Sequence, residues 1–105
     1  MTYTVKLSNL AKRDIISIHD YIENELSSPL TAQRQIERIE EKIRSLEQFP
    51  FRYRKIKSDN ARFEAIRMMP IDNYAVIYLP DKDNGIVSVS RVIYAHRNID
   101  LIDLY

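Results

Sequence analysis

The chain has 105 residues, a formal net charge of +1, 45% hydrophobic residues, seven Tyr and three Phe. That length fits one domain over residues 1–105, and the apolar share supports a real core, which excludes gross disorder. There is no Cys, so disulfides, thiolate metal sites and thiol nucleophiles are excluded.

Residues 2–7 alternate, with Tyr3, Val5 and Leu7 on one side, and predict a strand with one buried face. Ser8 has the chemistry of an N-cap. Ala11, Ile15, Ile18, Ile22 and Leu26 then recur at helical spacing, and a helix is expected over about 9 to 25. Ser27, Ser28 and Pro29 break it. Ser28 caps the next helix and Pro29 fits its first position, where a missing N–H costs nothing. Ala32, Ile36, Ile39, Ile43 and Leu46 form the second stripe, and Pro50 stops it. A short link between two such helices predicts an antiparallel hairpin.

The period then changes. Residues 62–68, 73–80 and 86–94 read as strands, and Asn84–Gly85 marks a hairpin because both residues tolerate positive φ. The fold class expected is α+β, in the order β-α-α-β-β-β, with the helical hairpin covering one face of a mainly antiparallel four-stranded sheet. The final AHRNIDLIDLY reads as a short helix or a docked tail.

On the last strand Ile86, Ser88, Ser90, Val92 and Tyr94 are expected to face one way, and Val87, Val89, Arg91 and Ile93 the other. Arg91 among apolar neighbours wants a partner. Glu64 or Asp72 can supply one, the guanidinium can snorkel outward, or it can stand exposed for an anionic ligand.

Charge is uneven. Residues 1–50 carry seven basic and eight acidic side chains, and residues 51–105 carry nine and seven. Arg52, Arg54, Lys55, Lys57 and Arg62 make the stretch before the second strand basic, as a solvated loop or as a surface for an acidic protein or nucleic acid. Met68, Met69 and Ile71 are candidate partner anchors or core filler. A four-stranded sheet leaves two edges to which a partner can add a strand. His19 and His96 are far apart, and neither a metal nor a cofactor is expected. No run is long and apolar enough for a membrane span or a secretory signal, and a cytoplasmic protein is expected.

Four local strings resemble the RelE/ParE toxin superfamily over nearly the whole chain: AKRDIISIHDYI, LEQFPFRYR, Arg67 followed by NYAVIY, and VSRVIYAHRNI. The resemblance implies a growth-inhibiting toxin of a type II toxin–antitoxin system, neutralised by a cognate antitoxin. It also implies binding to promoter DNA only through the antitoxin complex.

The resemblance covers two branches. RelE-like members cleave messenger RNA in the ribosomal A site, and ParE-like members block DNA gyrase. The RelE-like branch carries a basic pair on the strand before the central hairpin, where this chain has Glu64 and Ile66. It places an Arg after the Tyr of its GY motif, where this chain has Ala75 after Tyr74. A carboxylate repels a phosphate and Ala offers no donor, so the ParE-like branch is expected. The alternative is a ribosome-dependent endoribonuclease using Arg67, Arg91, Tyr94, His96 and Arg97 for proton transfer and phosphate stabilisation. A third reading is a non-toxic binding module of the same fold.

Overall fold

The computed structural model describes residues 2–57, 61 and 64–104. The elements are β1 (Thr4–Leu7), α1 (Asn9–Leu26), α2 (Pro29–Arg44), β2 (Arg67–Ile71), β3 (Tyr74–Asp81) and β4 (Ile86–Tyr94), with 3-10 turns at Ser45–Glu47 and Ile99–Leu101. The sheet order is β1-β4-β3-β2. β1 runs parallel to β4, and the other two pairings are antiparallel. This is the expected α+β architecture.

Both helix starts follow from their capping residues. Ser8 accepts the Ala11 N–H at 3.0 Å and donates to Ser90 O at 2.7 Å, tying the start of α1 to β4. Ser28 accepts the Thr31 N–H at 3.2 Å, with Pro29 in the first turn. The second helix ends at Arg44, before Pro50, and the 3-10 turn carries Leu46 on into the core.

Two cores flank the sheet. The larger lies under the helical hairpin and joins Ala11, Ile18, Ile22, Ala32, Ile39, Ile43 and Leu46 to Met69, Ile71, Val76, Tyr78, Val87, Val89 and Val92. The smaller lies on the opposite face, where Ile102 and Leu104 of the C-terminal tail cover Ile66, Ala75, Ile77 and Ile93. The expected tail is therefore both a short helical turn and a docked segment.

Three expectations need correction. First, β4 does not alternate throughout. Tyr78 pairs with Val89 but Ile77 pairs with Arg91, so Ser90 is an extra residue. This bulge reverses the phase: Val87, Val89 and Val92 share the hairpin face, while Arg91 and Ile93 take the other. Second, the strand expected over 62–68 begins at Arg67 and runs through Pro70. β2 is an edge strand, so a residue without an N–H is tolerated there; residues 62 and 63 lie outside the described residues. Third, the β3–β4 turn spans residues 82–85, and only Gly85 has positive φ, at 64°. Asp81 closes the turn by accepting from Asn84 N at 3.2 Å and Nδ2 at 2.7 Å.

The edges are less open than a bare four-stranded sheet implies. Met68 N donates to Arg54 O at 3.2 Å, Lys55 bridges Arg67, and Pro70 has no N–H. Beyond β1, the edge of β4 is taken by Asp14, whose carboxylate accepts the Val92 N–H at 2.9 Å. No helix among the described residues is long and apolar enough to cross a membrane.

Candidate functional site

The five residues named for catalysis do not converge. Arg91 points to the second face of the sheet and is 8% exposed. Its Nε and Nη2 donate to the two carboxylate oxygens of Asp14 at 2.7 and 2.9 Å, and its Nη1 donates to Asp103 O at 2.7 Å. The hydrogen bond to Asp14, above all, raises the guanidinium pKa further. The expected need for a partner is met, but by Asp14 on α1 rather than by Glu64 or Asp72. Arg91 is not exposed on an open sheet face.

Arg67 is on the edge strand β2, two strands across the sheet from Arg91. Its Nη1 donates to Phe51 O at 3.1 Å and Tyr53 O at 2.6 Å, and its guanidinium lies 5.1 Å from the Phe51 ring centroid. Nε is buried without a hydrogen-bond partner among the described residues. Arg67 pairs with Tyr78, and Tyr94 pairs with Tyr74. Four residues along the strands and two strands across separate Arg67 from Tyr94, or roughly 16 Å at ordinary strand spacings.

Tyr94 is 51% exposed and belongs to an aromatic group at the end of the sheet. Its ring centroid is 6.1 Å from that of Tyr74 and 5.3 Å from that of His96. Tyr21, on α1, is 63% exposed. Burial, with Tyr21 and Tyr94 adding to it, pushes the Tyr74 hydroxyl up. Arg97 follows in a turn, its N–H donating to Tyr94 O at 3.0 Å, and its side chain is exposed. Tyr94, His96 and Arg97 thus share one surface, while Arg91 and Arg67 are held elsewhere.

The basic segment is at the surface. Arg52, Arg54, Lys55 and Lys57 are exposed, and Arg62 lies outside the described residues. The proposed anchors are core residues. Met69 is 0% and Ile71 5% exposed beneath the hairpin, and Met68 is half-buried against the smaller core. β2 turns alternate side chains into the two cores, and neither direction leaves an apolar anchor free.

Two clusters escaped the sequence reading. Asp72, at φ 53°, holds the β2–β3 turn on α2: Arg38 Nη2 and Nε donate to its two oxygens at 2.7 and 2.8 Å, and Gln35 donates at 3.0 Å. Hydrogen bonds from Arg38 and then Gln35 hold the carboxyl below its usual range. Only the arrangement of helix and turn reveals it, since 34 residues separate Arg38 from Asp72. The second was legible as an i, i+4 pair: His19 Nδ1 lies 3.3 Å from Asp20 Oδ1 and 3.5 Å from Glu23 Oε2. The ligating atoms of these three side chains lie within 4.8 Å of one another, a spacing compatible with a metal ion, whereas no such grouping was expected.

Residues 5–99 match the family described as ParE toxin of type II toxin-antitoxin system, parDE. The chain belongs to the ParE toxin family. Among solved structures it is similar to the chromosomal ParDE toxin–antitoxin system of P. aeruginosa, with a TM-score of 0.74 at 15% identity, covering 90% of this chain and 98% of that one. It is also similar to the RelBE2 toxin–antitoxin complex of Mycobacterium tuberculosis, at TM-score 0.68 and 19% identity over 90% and 99% of the chains. The archaeal RelE–RelB complex of Pyrococcus horikoshii follows at 0.60 and 18%, over 93% and 100%. At these identities the likeness is one of fold, which the ParE family shares with RelE proteins. No curated protein matches by sequence.

Proposed function

We propose that this ParE-family toxin arrests growth by binding and blocking DNA gyrase in the cytoplasm, and that a cognate antitoxin neutralises it. The observation that carries the reading is the state of the second sheet face. Ile66 and Ala75, at positions where the nuclease branch carries basic groups, are 4% and 1% exposed in an apolar core. The tail covers them, and Arg91 is bound to Asp14 and Asp103. Cleaving RNA through a 2′-hydroxyl needs a proton acceptor and phosphate donors around one scissile bond. The separation of Arg67, Arg91 and Tyr94 works against that, while inhibition by binding needs no such constellation. Complexes of the solved relatives support an antitoxin partner, through which the pair would reach promoter DNA.

A supercoiling assay with purified gyrase tests the proposal. Inhibition near one toxin per gyrase complex is expected, together with growth arrest on induction without antitoxin and no new 5′ ends within codons of ribosome-bound message. Uninhibited gyrase at stoichiometric toxin overturns it. New 5′ ends lost on changing His96 and Arg97 to Ala would make the chain a ribosome-dependent nuclease. Unchanged growth with folded protein present would make it a non-toxic binding module.

A further inference from the structure

Arg38, Glu41, Lys42 and Ser45 follow one another at spacings of three, one and three, and form one stripe on and just beyond α2. With Arg52 and Ile71 they line a hollow of about 270 Å³. Two of its cations are held in place. Asp72 fixes Arg38 through both oxygens. Ser45 Oγ accepts from Arg52 Nη2 at 2.9 Å, and the Arg52 guanidinium lies 4.9 Å from the Tyr53 ring centroid. The Lys42 ammonium makes no hydrogen bond or ion pair among the described residues, and the side chain is exposed.

Asp72 balances Arg38. Lys42 and Arg52 then stand against Glu41 alone, which leaves a surplus positive charge. Ile71, 5% exposed, gives the same hollow an apolar wall. Cations beside an aliphatic surface match a side chain with a carboxylate on a short methylene stem. We infer that this hollow receives a glutamate or aspartate side chain of an acidic peptide partner, with Lys42 and Arg52 holding its carboxylate. The inference rests on the antitoxin reading above and names the chemistry of its seat. A nucleic acid fits less well. Its backbone needs a track of cations, and this hollow offers one short cluster.

The test is a magnetic-resonance titration of the isotope-labelled full chain with acetyl-Leu-Glu-Glu-Leu-amide, its Gln counterpart, inorganic phosphate and a short oligouridylate. Shifts centred on Lys42, Ser45 and Arg52 are expected with the Glu peptide and not with the Gln peptide. Lys42→Met alone breaks no side-chain hydrogen bond or ion pair among the described residues and should weaken binding. Lys42→Met with Arg52→Met should weaken it at least about tenfold, as expected when charge-assisted hydrogen bonds are lost. Equal binding of the Gln peptide, no shifts at these residues, or saturation by phosphate or oligouridylate instead of peptide each overturns the inference.

Copurification with the antitoxin, to be sought in an adjacent open reading frame, separates the two readings. If no complex forms while the Glu peptide binds as expected, the antitoxin reading falls and the hollow stands. If a complex forms and the double variant binds it as tightly as the native chain does, the hollow is not the seat and the inference falls alone.

Discussion

Arg91 on β4 grips Asp14 on α1 through both carboxylate oxygens, across 77 positions of sequence. The side chains are 10% and 14% exposed. The same carboxylate accepts the Val92 N–H, and the same guanidinium holds the tail carbonyl at Asp103. One ion pair therefore fastens three things to the bulged end of β4: the first helix, the free strand edge and the C-terminus.

Removing one partner leaves the other charge buried. Asp14→Asn and Arg91→Met should each destabilise the fold by about 3 to 5 kcal/mol, as broken buried pairs do. The apolar double variant, Asp14→Leu with Arg91→Met, should recover part of the loss. Full recovery is not expected, because replacing Asp14 by Leu takes away the acceptor of the Val92 N–H. Urea denaturation measures all three, and native midpoints in the single variants would show that the pair does not hold the fold.

Periodicity made the hairpin and the last two strands legible, because the stripes Ala11–Ile22 and Ala32–Leu46 and the runs around Val76 and Val89 each commit a face to a core, whereas β2 was expected over 62–68 and runs over Arg67–Ile71. The bulge was not legible. Ser90 pairs with nothing in the alternation, and only the meeting of Ile77 with Arg91 shows that the phase has slipped. That slip turns Arg91 off the hairpin face, level with Ile77. Met68, Met69 and Ile71 were ambiguous for a related reason: a methionine serves core and interface equally, and burial depends on what lies across it. Ile102 and Leu104 gave no period in so short a tail, so the second core was invisible.

The tail should behave as structure. Ile102 is 1% exposed and sits over Ile66, Ala75, Ile77 and Ile93. Ile102→Ala should cost about 2 to 4 kcal/mol by emptying that space. Hydrogen exchange should quicken around residues 75, 77 and 93 before it does under the helical hairpin. If exchange rises equally in both cores, the two faces of the sheet unfold as one unit.

Alkaline pH should act through Tyr78. Its hydroxyl donates to Pro50 O at 2.6 Å, and burial, its main cause, pushes its pKa up to about 12. The folded state therefore favours the neutral phenol. Its contribution is complete below the ordinary tyrosine value and declines as pH rises towards 12. Tyr78→Phe should cost about 1 to 3 kcal/mol at neutral pH, since the buried Pro50 carbonyl loses its donor. The variant should also show a shallower loss of stability in the alkaline range. Parallel alkaline profiles for the two proteins would assign the fall to other groups.

Charge on the loop and charge in the hollow should divide the kinetics of antitoxin binding between them. Arg54 and Lys55 are exposed, and no side-chain ion pair ties them to the fold among the described residues. Such charges steer encounter more than they hold a complex. Changing both to Glu should slow association about tenfold at low salt and leave dissociation nearly unchanged. The difference should fade as salt rises, since screening shortens the reach of exposed charges to about 3 Å at 1 M. Lys42 and Arg52 flank a recess, where a desolvated carboxylate is held by direct hydrogen bonds. Changing them to Met should chiefly raise the off-rate, and less of that effect should be lost in salt. Surface plasmon resonance at two salt concentrations reads both rates, with circular dichroism confirming that each variant folds. An on-rate unchanged by the Glu pair at low salt would leave the segment around Arg54 as a solvated loop with no part in recognition.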